Sequence, residues 1–146
     1  MHEPSLWELP KIADAQLYRF LWIGTWTAPF CVRFEASPDG TTALYGRVTS
    51  GLGGYNIGSL TSNTTRILSS EQSREFSRSI VASNFWTLPT RGDLIGNDGA
   101  QWIFEGVRDG HYHLVDRWSP KEGPLHDLGL YFLNLSELAI PPDKLY

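Results

Sequence analysis

The chain has 146 residues, a formal charge of −4, 41% hydrophobic and 13% aromatic residues. That length suits one domain burying roughly two thirds of its unfolded surface, and the aromatic share argues against disorder. The acidic balance supplies no basic field for a phosphate backbone, so nucleic acid is not an expected partner. The single cysteine, Cys31, forbids an intrachain disulfide and a cysteine-rich zinc site. No apolar run approaches a membrane span, and residues 1–8 lack the basic start and apolar stretch of a secretory signal. The expected location is cytoplasmic as written, or periplasmic if a native leader was trimmed.

Residues 1–16, with Pro4, Pro10 and scattered charges, read as an extended N-terminal arm, and 17–146 as a single α+β domain. Leu17 to Ile23 opens the first strand, and Phe30 to Glu35 alternates Phe30, Val32 and Phe34 against Cys31, Arg33 and Glu35. Ser37-Pro-Asp-Gly40 supplies a turn before a third strand at Thr42 to Thr49. Gly51 to Gly58 reads as a flexible loop, and the Thr- and Ser-rich stretch to Leu68 as a more exposed fourth strand. Ser69, three residues before Gln72 and preceded by Leu68, marks a capped helix start, with Phe76, Ile80 and Val81 as its apolar stripe. That helix should stop near Asn84, with Phe85 to Pro89 extended.

Gly99 to Pro120 reads as one β-hairpin around Asp109-Gly110, a dipeptide that accepts positive φ at both central positions of a type I′ turn. A two-residue loop fixes the register, from Arg108 opposite His111 to Gln101 opposite Trp118. One face then carries Trp102, Phe104, Gly106, Arg108, His111, His113, Val115 and Arg117. The other carries Gln101, Ile103, Glu105, Val107, Tyr112, Leu114, Asp116 and Trp118. Neither face is purely polar, which places the hairpin inside a larger sheet. Pro124 to Leu138 repeats leucine at helical spacing, and Pro141-Pro142 forbids continuation. The expected fold is α+β, a mainly antiparallel sheet of about six strands with two helices packed on it, in the order ββββαββα.

The residues Asp98-Gly99, Trp102, Glu105-Gly106, Gly110, Tyr112-His113 and Asp116-Arg117-Trp118-Ser119-Pro120 resemble a signature of small uncharacterised bacterial proteins. Their opening is also similar to Tyr18 to Trp22. The resemblance spans most of the chain, from the first strand to the last helix. It implies a bacterial origin and a single domain, and carries no activity or catalytic residue.

Several constellations could carry chemistry. His111 and His113 share a strand face, and His126 or Asp127 could complete a three-ligand zinc site; the alternative is hydrogen-bonded structural histidines, with His113 lying over Gly106. Glu105 and Asp116 share the other face as near-diagonal carboxylates suited to an acid–base pair, as in glycoside cleavage. The alternative is that each accepts hydrogen bonds from arginine, tyrosine or tryptophan donors. Arg117 opposite Trp102 reads as guanidinium stacking on the indole. Cys31, between Phe30 and Val32, reads as buried and inert. The 51–58 loop lacks the Lys-Ser/Thr ending of a phosphate-binding loop, so no cofactor is expected.

No complete catalytic constellation emerges. The leading expectation is a non-enzymatic bacterial protein-binding domain, such as an immunity or inhibitor protein neutralising a basic toxin or effector. Trp26, Tyr55 and Tyr112 would anchor the partner, while Glu3, Glu8, Asp93, Asp98 and Asp109 would steer it. The competing readings are a small hydrolase or metal-dependent enzyme centred on the 99–120 hairpin, and a glycan or small-molecule binding module using the tryptophans.

Overall fold

The computed structural model describes residues 1, 3–8, 16–92, 96–140 and 145. Strands β1 (Gln16–Gly24), β2 (Phe30–Ala36), β3 (Thr42–Thr49) and β4 (Leu60–Ile67) are followed by helix α1 (Ser70–Ala82). Strands β5 (Ala100–Arg108) and β6 (His111–Trp118) and helix α2 (Pro124–Ser136) complete the order. All six strands form one antiparallel sheet in the spatial order β4-β3-β2-β1-β5-β6, so the expected α+β architecture holds. The N-terminal meander and the C-terminal hairpin meet along β1 and β5, from Leu17↔Val107 to Gly24↔Ala100.

Strand alternation divides the sheet into two faces. Tyr18, Phe20 and Trp22 of β1, Phe30, Val32 and Phe34 of β2, and Trp102 and Phe104 of β5 are buried together with Phe76, Ile80, Leu128 and Phe132 of the two helices. Ring pairs bind this layer: Phe20 stacks on Phe104 at 4.5 Å, and Phe34 on Phe76 at 3.8 Å. Among the described residues, neither α1 nor α2 packs on the opposite face. Residues of the N-terminal segment lie against it, with Leu6 of the 3-10 turn Leu6–Glu8 fully buried in a separate small cluster with Leu17, Val107 and Tyr112.

The hairpin forms with all eight expected pairs. Asp109 at φ 52° and Gly110 at φ 74° give the positive-φ pair that a type I′ turn requires. Helix α1 begins at the expected capping box: the Ser69 hydroxyl accepts from the Gln72 amide at 3.2 Å and the Gln72 side chain from the Ser69 amide at 3.0 Å.

Four local expectations change. Phe85–Thr87 is a 3-10 turn rather than extended chain, entered through Asn84 at φ 54°. Proline constrains only the residue before it, and Leu88 alone is extended at ψ 143°. The turn tucks the Phe85 ring over Gly106, where an added Cβ would stand 2.7 Å from it. The space over that glycine therefore belongs to Phe85 and Tyr18, and His113 packs edge-on against Phe85 with ring centres 5.1 Å apart. Helix α2 stops at Ser136, two residues short of the expected Leu138. The Ser136 hydroxyl donates to the Leu133 carbonyl at 2.7 Å and accepts from the Leu138 amide at 3.2 Å, while Glu137 turns to φ 53°.

The 51–58 segment is tightly folded rather than a flexible loop. Its amides donate within it or back to the β1–β2 turn, Gly51 to Ile57 at 3.1 Å, Asn56 to Leu52 at 2.9 Å and Gly53 to Thr27 at 3.2 Å. A Cβ on Gly51 would stand 1.8 Å from the Asn56 carbonyl, so the glycine is there for close backbone approach.

Candidate functional site

Two regions hold the residues singled out by the sequence. The first is the end of the sheet where the β1–β2 turn, the 51–58 segment and the start of β5 converge. Trp26 and Tyr55 stand side by side there, ring centres 5.3 Å apart, and are 54% and 69% exposed. The Trp26 indole donates to Asp98 at 3.0 Å, and the Thr25 amide to the Gly99 carbonyl at 2.9 Å, which fixes the turn against the strand. Leu52, Ile57 and Leu60 are exposed in the same segment and its continuation into β4. Three of the expected binding residues, Trp26, Tyr55 and Asp98, are thus brought together.

The others are not part of that group. Asp109 sits in the β5–β6 turn at the opposite end of the sheet, 3.6 Å from the Arg108 guanidinium. Tyr112 is half-buried on the open face beside Trp7. Asp93 lies outside the described residues. Glu3 is buried in an ion cluster, so its charge is spent internally rather than presented to a partner.

That cluster forms the second region. The pairing places Arg19 of β1 between Glu105 of β5 and Arg33 of β2, while Arg47 of β3 lies one row along, opposite Cys31. Glu105 accepts from Arg19 Nε at 2.6 Å and from the Tyr112 hydroxyl at 2.7 Å. Arg33 bonds Glu35 and lies over the Tyr45 ring at 4.2 Å. Glu3 then enters from the N-terminal segment: its carboxylate lies 3.0 Å from both Arg33 Nε and Arg47 Nη1, and 4.0 Å from Arg19. Arg19 also donates to the Pro4 carbonyl at 2.8 Å, and Arg47 to the Met1 carbonyl at 2.9 Å. The set holds three guanidinium groups and three carboxylates, and their side chains are mostly buried, as pairing of buried charge demands. Burial, followed by the Glu105 hydrogen bond, pushes the Tyr112 hydroxyl well above its ordinary range.

The carboxylate pair is therefore divided in its bonding. Glu105 is held by Arg19 and Tyr112, whereas Asp116 accepts from the Gln101 amide at 2.9 Å. Glu105 is thus committed to Arg19 and Tyr112, and neither of these partners is shared with Asp116. The histidines are also separated. His111 is exposed and bonds the Asp109 carbonyl at 2.9 Å, His113 packs between Phe85 and Trp86, and His126 of α2 stacks on Trp102 at 5.8 Å. Among the described residues no group of three histidine, cysteine or acidic side chains is placed to hold a metal ion.

The expected stacking of Arg117 on Trp102 does not occur. The indole points into the core beneath α2, close against Gly129, and its ring partners are Phe20, Phe104 and His126. Arg117 turns to the neighbouring segment instead, donating to the Pro89 carbonyl at 2.9 Å and the Thr90 carbonyl at 3.2 Å. Cys31 is buried on the open face, and burial pushes its thiol up to about 12.

The arginine cluster and the seated Glu3 were missed by sequence reasoning. A signal existed in the first two strands, where Arg19 and Arg33 each stand at a position that alternation assigns to the face away from the strand's aromatic residues; Arg47 of β3 shares its face with Tyr45 and gave no such signal. Among the described residues no helix is long and apolar enough to cross a membrane. No protein-family model matches the chain, and no curated protein matches it.

Proposed function

We propose that this chain is a protein-binding domain that engages its partner through the loop end of the sheet, as an immunity or inhibitor protein of a toxin or effector would. The observation that carries this reading is the Trp26–Tyr55 pair. These are two large rings exposed side by side, held by the Asp98 hydrogen bond and the closed 51–58 segment, with exposed Leu52 and Ile57 alongside. Rigid aromatic anchors lose little conformational freedom on binding, and such residues dominate measured interface energetics. The net charge of −4 favours a basic partner and would speed encounter at low ionic strength.

The test is affinity capture from the cells of origin with native mass spectrometry of the eluate, followed by titration of the isolated partner. A stoichiometric complex is expected, weakened about 30-fold or more by Trp26→Ala and by Tyr55→Ala at unchanged melting temperature, the size of a central interface anchor. A complex indifferent to both substitutions, or no stoichiometric partner at any salt concentration, rejects the reading.

A further inference from the structure

The N-terminal segment is seated on the open face in the manner of a ligand. Among the described residues its fixed points include one carboxylate, two carbonyl oxygens and one leucine: Glu3 between Arg33 and Arg47, the Met1 and Pro4 carbonyls on Arg47 and Arg19, and Leu6 in its pocket. The receptors of these polar groups are arginines projecting from three neighbouring strands, and the apolar receptor is the Leu17–Val107–Tyr112 cluster, separate from the main core. Trp7 follows at 68% exposure with its ring edge against Tyr112 at 5.2 Å. The segment does not fill its seat. A cavity of about 180 Å³ remains beside Met1 and Glu3, walled by Leu21, Ile23, Cys31 and Ile57.

We propose that this face is a binding groove for an acidic, extended peptide segment supplied by another protein, and that Met1 and residues 3–8 occupy it as an intramolecular competitor. The required pattern follows from the receptors. A carboxylate side chain enters the Arg19–Arg33–Arg47 cradle, an aliphatic side chain three residues later enters the Leu17–Val107–Tyr112 pocket, and a bulky apolar residue ahead of the acid fills the cavity that Met1 leaves partly empty. Charge selects the occupant. The seated Glu3 carboxylate lies 3.0 Å from both Arg33 Nε and Arg47 Nη1, and such charge-assisted guanidinium–carboxylate bonds favour an acid over an amide in this mostly buried setting. A tethered occupant competes at high effective concentration, so the apparent affinity for an outside peptide falls by the fraction of molecules with the groove open. The inference concerns a different surface from the Trp26–Tyr55 pair and stands whether or not the loop-end reading holds.

The probe is a fluorescein-labelled peptide with the sequence of residues 1–8, titrated by fluorescence anisotropy. The titrated proteins are the full chain and the full chain carrying Glu3→Gln and Leu6→Ala, which loosens the tethered occupant without touching the receptors. The doubly substituted chain should bind the peptide at least tenfold more tightly than the unsubstituted one. Glu3→Gln within the peptide should cost at least tenfold, and a Met1→Phe peptide should bind more tightly than the parent. Equal affinity for both proteins, or no discrimination between acid and amide peptides, overturns the proposal. Hydrogen exchange on the unsubstituted chain gives an independent reading. The Leu6 to Glu8 amides should exchange at least a hundredfold faster than those of β1 and β5, through local release. Exchange at the common global rate, or unfolding of the doubly substituted chain, would make the segment an integral part of the fold and equally overturn the proposal.

Discussion

Glu105→Gln separates a structural carboxylate from a catalytic one. Glu105 and Arg19 side chains are 9% and 12% exposed, with Glu105 Oε2 2.6 Å from Arg19 Nε and 2.5 Å from Arg19 Nη2. Removing one partner of a buried ion pair typically costs about 3–5 kcal/mol, because the other charge is left in low dielectric. Glutamine retains an acceptor oxygen, and Glu3 remains 4.0 Å from Arg19. These two compensations lower the expected loss to about 2–3 kcal/mol. For a chain of this length that corresponds to a melting temperature about 5–10 °C lower. The assay is equilibrium urea unfolding followed by tryptophan fluorescence, with the m-value held as a check that the denatured state is unchanged. The double variant Arg19→Leu/Glu105→Leu, which removes both charges, should be more stable than Glu105→Gln alone. A loss below about 0.5 kcal/mol for Glu105→Gln would refute the reasoning, since only a solvated pair behaves that way.

Two further outcomes follow from the buried acids. Tyr18, Tyr112 and Tyr131 all have hydroxyls raised above the ordinary phenol range, burial being the largest cause in each, and Tyr131 reaches about 12. The unfolded chain ionises these phenols at about pH 10 while the folded chain keeps them protonated, so the unfolded state binds fewer protons above that point. Their contribution to stability is therefore complete below pH 10 and is lost as pH rises through the folded values. Absorbance at 295 nm should show three of the six tyrosines resisting ionisation until the chain unfolds, and smooth titration of all six at pH 10 would contradict this. Cys31, buried with its thiol at about 12, should resist iodoacetamide at pH 8 in the native state and react promptly in denaturant. Native-state labelling faster than global unfolding would contradict its placement.

What the sequence made legible was local. Asp109-Gly110 fixed a two-residue turn, and from it the alternation set eight cross-strand pairs without reference to the rest of the chain. Ser69 and Gln72 are three residues apart and satisfy each other's backbone partner, so the start of α1 could be read from the same short span. The arginine cluster is the opposite case. Arg19 meets Glu105 across 86 positions and Glu3 meets Arg33 across 30, contacts that exist only once the strand order places β1 between β2 and β5. Trp26 and Asp98, 72 positions apart, were each singled out, but nothing local could say that one would hold the other. Arg117 failed for a related reason: cross-strand opposition to Trp102 was right, yet the carbonyls of Pro89 and Thr90, invisible to a hairpin considered alone, offered the guanidinium a better set of acceptors.

The seam between β1 and β5 has a consequence for biosynthesis. Strands β1 to β4 can assemble as a meander as soon as they leave the ribosome, but β1 then ends the sheet. Its free backbone groups and the inner-face rings of Phe20 and Trp22 wait until the chain has been made through Arg108. For an elongation rate of about 5–20 residues per second, the roughly 40 residues from the end of β4 to the end of β5 leave that border open for about 2–8 s. During that interval the nascent chain is most exposed to pairing with a neighbouring copy on the same polysome, and the hairpin that closes it is the most locally specified piece of the sequence, ready to form within microseconds of emerging.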